Sequence, residues 1–267
     1  MAGKLSIGTA WIEAAAFVRK ERRLLAPVVL GLILLPAVVS TMIQPQTPAG
    51  VSPEPGSWMI VALVMILLMM IGQMAIVVMV DGWRGSVGEA IGRAARRLPT
   101  LVLAALLVMI PLILVSSIVL AAVALATGGG PVTPPSLGGA GWLTILILMV
   151  MALVVTVRLL PLVAVVAGGT DGPIAALKRT FRLTRGEFWR LLGFVLLLAI
   201  AFIVAAAAVG AVFGSAVVVL LGPLEPWSVS LLLVALAGAL VQAAFVTLYT
   251  AMLARIRAQL EGSTSAT

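Results

Sequence analysis

Long apolar stretches alternate with short polar segments along the chain, and six of them can cross a hydrocarbon layer of about 30 Å. They cover residues 24–43, 58–80, 101–126, 142–168, 191–221 and 229–254. Charged residues are almost confined to the segments between these stretches, which is typical of membrane helices. The sequence therefore predicts an all-α polytopic membrane bundle of six transmembrane helices, with lipid as the solvent of the apolar surface.

Lysine and arginine lie on one side of this predicted bundle. Sixteen of the 17 basic residues fall before residue 24, at 84–97, at 178–190 or after residue 254, whereas the connections 44–57, 127–141 and 222–228 have none. By the positive-inside rule, both termini are cytoplasmic. We expect no cleavable signal peptide, because Glu13 and the basic cluster at 19–23 interrupt any apolar leader. Arginine outnumbers lysine 14 to 3, which indicates a GC-rich bacterium and hence the bacterial cytoplasmic (inner) membrane.

The tryptophans indicate an internal repeat. Trp58, Trp142 and Trp227 begin the even-numbered spans at spacings of 84 and 85 residues. A polar residue follows each of them after 15 or 16 positions, namely Gln73, Arg158 and Gln242. We predict three amphipathic-helix-plus-hairpin repeats around a pseudo-threefold axis, at about 1–80, 81–169 and 170–258, and a short cytoplasmic tail at 259–267.

Each unit begins with an amphipathic segment that we call an elbow. Ser86 and Glu89 have the spacing of a capping box, and Pro173 suits a first helical turn. Helices of this kind lie at the lipid headgroups and attract anionic phospholipid. The expected interfacial lipid contacts are Trp11, Trp83, Arg93, Arg97, Lys178, Arg182, Arg185 and Trp189. The alternative is that the elbows only anchor the fold.

Two segments carry a family resemblance, SVGEA with RRLP at 86–99 and GPIAALKRT with LTRGEFW at 172–189. They resemble the bacterial family called glycerophosphoryl diester phosphodiesterase membrane domain, with its six-span relatives. In that family the phosphodiesterase is a separate soluble domain that depends on His and metal-binding carboxylates. This chain has no His, so the resemblance implies a membrane domain without the catalytic domain.

Several chemistries are excluded by composition. The chain has no Cys and no His, so it lacks thiolate nucleophiles, histidine bases and the common soft metal ligands. No acidic residue lies deep in a span, which excludes a paired-Asp protease and disfavours an ion-coupled carrier. We predict no enzyme activity, no cofactor and no metal. The basic residues fit membrane topology better than nucleic-acid binding.

Arg158 is the leading candidate for a ligand-binding residue, because a charge within a span is costly and usually faces the bundle interior. Pro161 is expected to leave the carbonyl of Val157 free, and Gln73 and Gln242 could join Arg158 in a site for a phosphate or carboxylate. Asp81 is a candidate counter-ion or elbow contact. Alternatively, Arg158 snorkels towards the cytoplasm or only holds neighbouring helices.

Two functions follow as hypotheses. The first is a non-enzymatic membrane scaffold or accessory protein that interacts with lipid. The second is a carrier or channel for an anionic or amphiphilic solute, with its site near Arg158. A transmembrane cavity that reaches Arg158 would favour the second.

Overall fold

The computed structural model describes residues 6–45, 54–126, 139–169 and 171–264. These residues form helices and no strand, and six of the helices are long and apolar enough to cross a membrane. The prediction of an all-α, six-span membrane bundle is confirmed. The predicted connections at 44–57 and 127–141 lie largely outside the described residues.

We label the helices in chain order. They are α1 (Ile7–Lys20), α2 (Arg22–Ile43), α3 (Trp58–Val80), α4 (Val87–Ala126), α5 (Gly139–Leu159), α6 (Leu162–Gly168), α7 (Pro173–Leu183), α8 (Phe188–Leu221) and α9 (Val229–Thr264). Spans 1 to 6 are α2, α3, α4, α5 with α6, α8 and α9. Spans 1 and 5 each include one π-helical turn, at Leu30–Leu34 and Gly210–Gly214.

Two helices run further than the sequence pattern indicates. The second elbow and span 3 form one unbroken helix of 40 residues, α4, although Pro99 lies where the charged pattern gives way to the apolar one. Helix α9 continues past residue 254 and through most of the predicted tail. The third elbow, α7, does end before span 5, because Gly186 adopts a φ of 93°, a left-handed conformation that ends helices.

The predicted helix starts are confirmed at two elbows. The Ser86 hydroxyl accepts the Glu89 N–H at 3.2 Å, and the Glu89 carboxylate accepts the Ser86 N–H at 3.3 Å, which is a complete capping box. Pro173 is the first residue of α7. These two elbows therefore begin at defined residues.

The spans pack in a cyclic order. Spans 2, 4 and 6 contact one another through α3, α6 and α9. Span 1 packs between spans 2 and 6, span 3 between spans 2 and 4, and span 5 between spans 4 and 6. Three repeats around an axis would produce this order, but the repeats and their boundaries stay a prediction.

The buried core lies towards one end of the bundle, which we call the charged end because α1, the start of α4, α7 and the end of α9 lie there. Continuous buried runs occur at 74–80 in α3, 164–167 in α6 and 251–254 in α9. Towards the other end, large apolar side chains such as Ile60 and Ile147 are exposed by 68% and 66%. Such an apolar surface is stable in lipid and not in water. Tight packing of protein against protein is therefore found at the charged end, and the other end presents an apolar surface that suits lipid.

Candidate functional site

A buried arginine joins the three even-numbered spans at the charged end. Arg257 of α9 donates from Nη2 to the carboxylate of Asp81 at 2.9 Å and from Nη1 to the carbonyl of Ala164. Asp81 directly follows α3, and Ala164 belongs to α6. Only 11% of the Arg257 side chain is exposed. We call Arg257, Asp81, Ala164 and Gly168 the Arg257 clasp.

Gly168 is required for this arrangement, since a side chain there would occupy the place of the guanidinium. A Cβ atom built on Gly168 would lie 1.9 Å from Nη1 of Arg257 and 2.8 Å from its Cζ. Helix α6 ends at this glycine. The planar guanidinium therefore lies directly against the backbone of span 4, where it can form two directed hydrogen bonds at once.

A second set of ion pairs extends the clasp to the third elbow. Glu261 lies one turn after Arg257 on α9 and is 3.7 Å from its Nε. The same carboxylate accepts a hydrogen bond from Arg179 of α7 at 2.9 Å, and Arg179 also binds Asp171 at 3.2 Å. Elbow α7 is thereby fixed to the end of α9.

Burial raises the pKa of the Asp81 carboxyl above its ordinary value, whereas the charge and the hydrogen bond of Arg257 act in the opposite direction. Desolvation is the larger of these effects. The contact with Arg257 therefore does not fully offset the cost of burying the carboxylate. Only the arginine of this pair is buried, since 26% of the Asp81 side chain is exposed, and a partly buried pair of this kind fixes a geometry more than it adds stability.

Ion pairs engage five of the seven carboxylates at the charged end. Asp81, Asp171 and Glu261 belong to the clasp and its extension, Glu187 pairs with Arg190, and Glu13 lies 3.8 Å from Arg255. Many cations remain without a carboxylate at ion-pair distance among the described residues. They are Arg19, Lys20, Arg22, Arg23, Arg84, Arg93, Arg96, Arg97, Lys178, Arg182 and Arg185.

The predicted interfacial residues lie at this end of the bundle. Trp11, Arg93, Lys178, Arg182, Arg185 and Trp189 are exposed, and Trp83 and Arg97 are half-buried. Arg93 lies over the Trp83 ring, with its Cζ 4.9 Å from the centroid, and the indole N–H of Trp83 donates to the Ser86 carbonyl. Trp83 and Arg93 therefore brace the start of α4, while their lipid contacts stay a prediction.

A wide cavity of about 660 Å³ borders the third elbow. Lys178, Arg179 and Arg182 line it together with Asp171 and Glu261. Because Arg179 pairs with both carboxylates, Lys178 and Arg182 are left with positive charge that no described carboxylate neutralises. This cavity can accommodate an anionic headgroup. No group of three or more acidic side chains among the described residues is arranged to hold a metal ion.

The predicted polar site around Arg158 is not assembled by any described hydrogen bond. Arg158, Gln73 and Gln242 are each half-buried, and no hydrogen bond among the described residues joins them. Helix α5, which carries Arg158, packs mainly against α4, α7 and α8. Arg158 does not line any of five cavities that open between described residues. The three-residue site stays a prediction.

Two details of that hypothesis are corrected. The carbonyl of Val157 is not free, because the chain tightens at Leu160 and the Leu160 N–H donates to it at 3.4 Å. Asp81 pairs with Arg257 and not with Arg158, because α9 extends far enough to bring Arg257 against the end of α3. Sequence reasoning counted Arg257 among the tail cations, and nothing in its local pattern distinguishes it from Arg255.

We predict that Gly168→Ala lowers the free energy of unfolding by about 3 kcal/mol, because the new methyl group displaces the guanidinium and leaves Asp81 unpaired. The measurement is reversible unfolding in mixed micelles. Gly238→Ala is the matched control, since a Cβ there meets nothing within 4 Å. Equal stability of the two variants would contradict the role of Gly168 in the clasp.

Comparison with curated proteins and with solved structures finds no match. One family model does match, over residues 6–260, and its description is Domain of unknown function (DUF7847). The match covers every span, every elbow and the Arg257 clasp. The chain therefore belongs to the DUF7847 family.

Proposed function

We propose that this protein is a non-enzymatic integral membrane protein whose charged end binds the headgroups of anionic phospholipids, so that it serves as a scaffold or accessory protein of the membrane. In this proposal the charged end is cytoplasmic, both termini lie on that side, and the membrane is the bacterial inner membrane. The observation that carries the proposal is the group of cations without a described ion pair, held on helices with defined starts.

The arrangement of these cations supports lipid binding beyond what topology alone requires. The positive-inside rule asks only for lysine and arginine near the ends of the spans. Here five of the seven acidic residues of the same end are engaged in ion pairs, three of them in the Arg257 clasp and its extension. The remaining cations therefore face the headgroup layer with their charge uncompensated, and an anionic surface attracts each by about 1 kcal/mol.

The test compares lipid binding by a variant of Arg182 in α7 and a variant of Arg190 in α8. Arg182→Gln removes an exposed cation without a described ion pair, and we expect about fivefold weaker retention of phosphatidylglycerol, measured by native mass spectrometry of the purified protein. Arg190→Gln is the matched control, because the Arg190 charge is already paired with Glu187 at 2.9 Å. It should change retention less than twofold. Equal effects of the two substitutions, or equal retention of phosphatidylcholine, would contradict the proposal.

The alternative function is a carrier or channel for an anionic or amphiphilic solute. One observation favours it, namely that Arg158 is half-buried just before the helix break at 160–161 and has no described ion pair. The resemblance to the glycerophosphoryl diester phosphodiesterase membrane domain family is compatible with either function, and it stays a prediction.

Arg158→Ala separates the two functions. Under the scaffold proposal the variant retains the same lipids as the parent protein in native mass spectrometry, with Arg158→Lys as the charge-preserving control. Loss of one bound anionic lipid at an unchanged unfolding temperature, reversed in Arg158→Lys, would instead establish Arg158 as a ligand site and favour the carrier.

A further inference from the structure

We infer that a groove between α1, α2 and α9 is a binding site for one anionic phospholipid. The inference rests on the proposed function, since it assigns a discrete site to the general attraction of anionic lipid. It uses residues outside the set predicted from the sequence. The groove has a volume of about 530 Å³ and is lined by α1 from Ala15 to Arg19, by α2 from Arg22 to Leu30 and by α9 from Ala244 to Leu248.

The walls of this groove suit a hydrocarbon chain. Ala26, Val29 and Leu248 are among its apolar lining residues, and Ala244 adds only a methyl group. The Thr247 hydroxyl also borders the groove, but it donates to the Ala243 carbonyl at 2.7 Å and is thereby satisfied. The lining from Arg22 to Leu30 runs along about 12 Å of helix. That length is sufficient for part of an acyl chain.

Two arginines border the same groove. Arg19 and Arg22 lie one turn apart across the junction of α1 and α2, and both line the groove. Arg19 donates from Nε to the carbonyl of Ala15 at 3.3 Å, which orients its guanidinium along α1. Neither arginine has an ion pair among the described residues. An acceptor with several oxygens, such as a phosphate, matches paired guanidinium groups.

The acidic residues distinguish this groove from the other cavities of the charged end. Each of the other four cavities described here has at least one acidic lining residue. These residues are Glu21 in one cavity, Asp81 in a second, Asp171 and Glu261 in a third, and Glu13 and Glu21 in the fourth. The groove at α2 has no acidic lining residue and is almost entirely apolar. It thus combines uncompensated cations with an apolar channel, and a free phosphate ion would use only the first of these features. A phospholipid with a net negative charge uses both.

The experiment titrates the protein in detergent with phosphatidylglycerol and with phosphatidylcholine, and native mass spectrometry counts bound lipids. We expect one phosphatidylglycerol to bind more tightly than the rest. Arg19→Gln combined with Arg22→Gln should weaken that first binding event about tenfold. Ala244→Trp leaves both arginines in place and fills the groove, so it should also remove the first event.

The controls separate this site from general attraction. Leu232→Trp adds the same ring at an exposed position of α9 that does not line the groove, and it should leave the first event intact. Lys178→Gln combined with Arg182→Gln should weaken only the later, weaker events. Inorganic phosphate at the same concentration should displace no lipid.

Other outcomes overturn the inference in distinguishable ways. If Ala244→Trp has no effect and both double variants weaken binding alike, the groove is not a site, while the proposed function survives. Displacement by inorganic phosphate would replace a lipid site with a simple anion site. If phosphatidylglycerol and phosphatidylcholine bind equally to the parent protein, the groove and the proposed function both fail.

Discussion

The organisation of this protein depends on the contact between one buried guanidinium and the ends of three spans. Arg257 binds Asp81 after span 2 and the Ala164 carbonyl in span 4, and it belongs to the helix of span 6. Lipid cannot order these spans through the hydrophobic effect, since the tails are as apolar as the helices. Directed hydrogen bonds and close backbone approach at Gly168 supply the specificity instead.

The clasp also decides which charges the protein presents to its surroundings. With Asp81, Asp171 and Glu261 engaged, basic side chains of the elbows keep an uncompensated positive charge. The elbows that carry them are fixed by local chemistry, as the capping box at Ser86 illustrates. A packed, charged end and an apolar outer surface together are the features on which the proposed binding of lipid headgroups rests.

Much of the fold is predictable because its signals are local. Apolar runs define the six spans, the Ser86 and Glu89 spacing defines a helix start, and Pro173 defines another. The continuity of α4 is harder to foresee, because Pro99 coincides with the change from charged to apolar residues and yet remains inside the helix. Membrane helices tolerate such prolines when neighbours satisfy the freed carbonyl.

The candidate site is less predictable, because its partners are distant in sequence. Arg257 and Asp81 are separated by 176 residues, and only the packing of α9 against α3 brings them together. The local pattern around Arg257 is that of an ordinary basic tail. Arg158, in contrast, is identified from the sequence alone, because a charge inside an apolar run is evident whether or not it has a partner.

A double-mutant cycle on Asp81 and Arg257 tests the central claim that this pair organises the charged end. The free energy of unfolding is measured for the parent protein, Asp81→Asn, Arg257→Gln and the double variant in identical micelles. We predict that the losses are not additive, with a coupling energy of about 1 kcal/mol or more between the two residues. Additive losses, with a coupling energy near zero, would contradict the clasp.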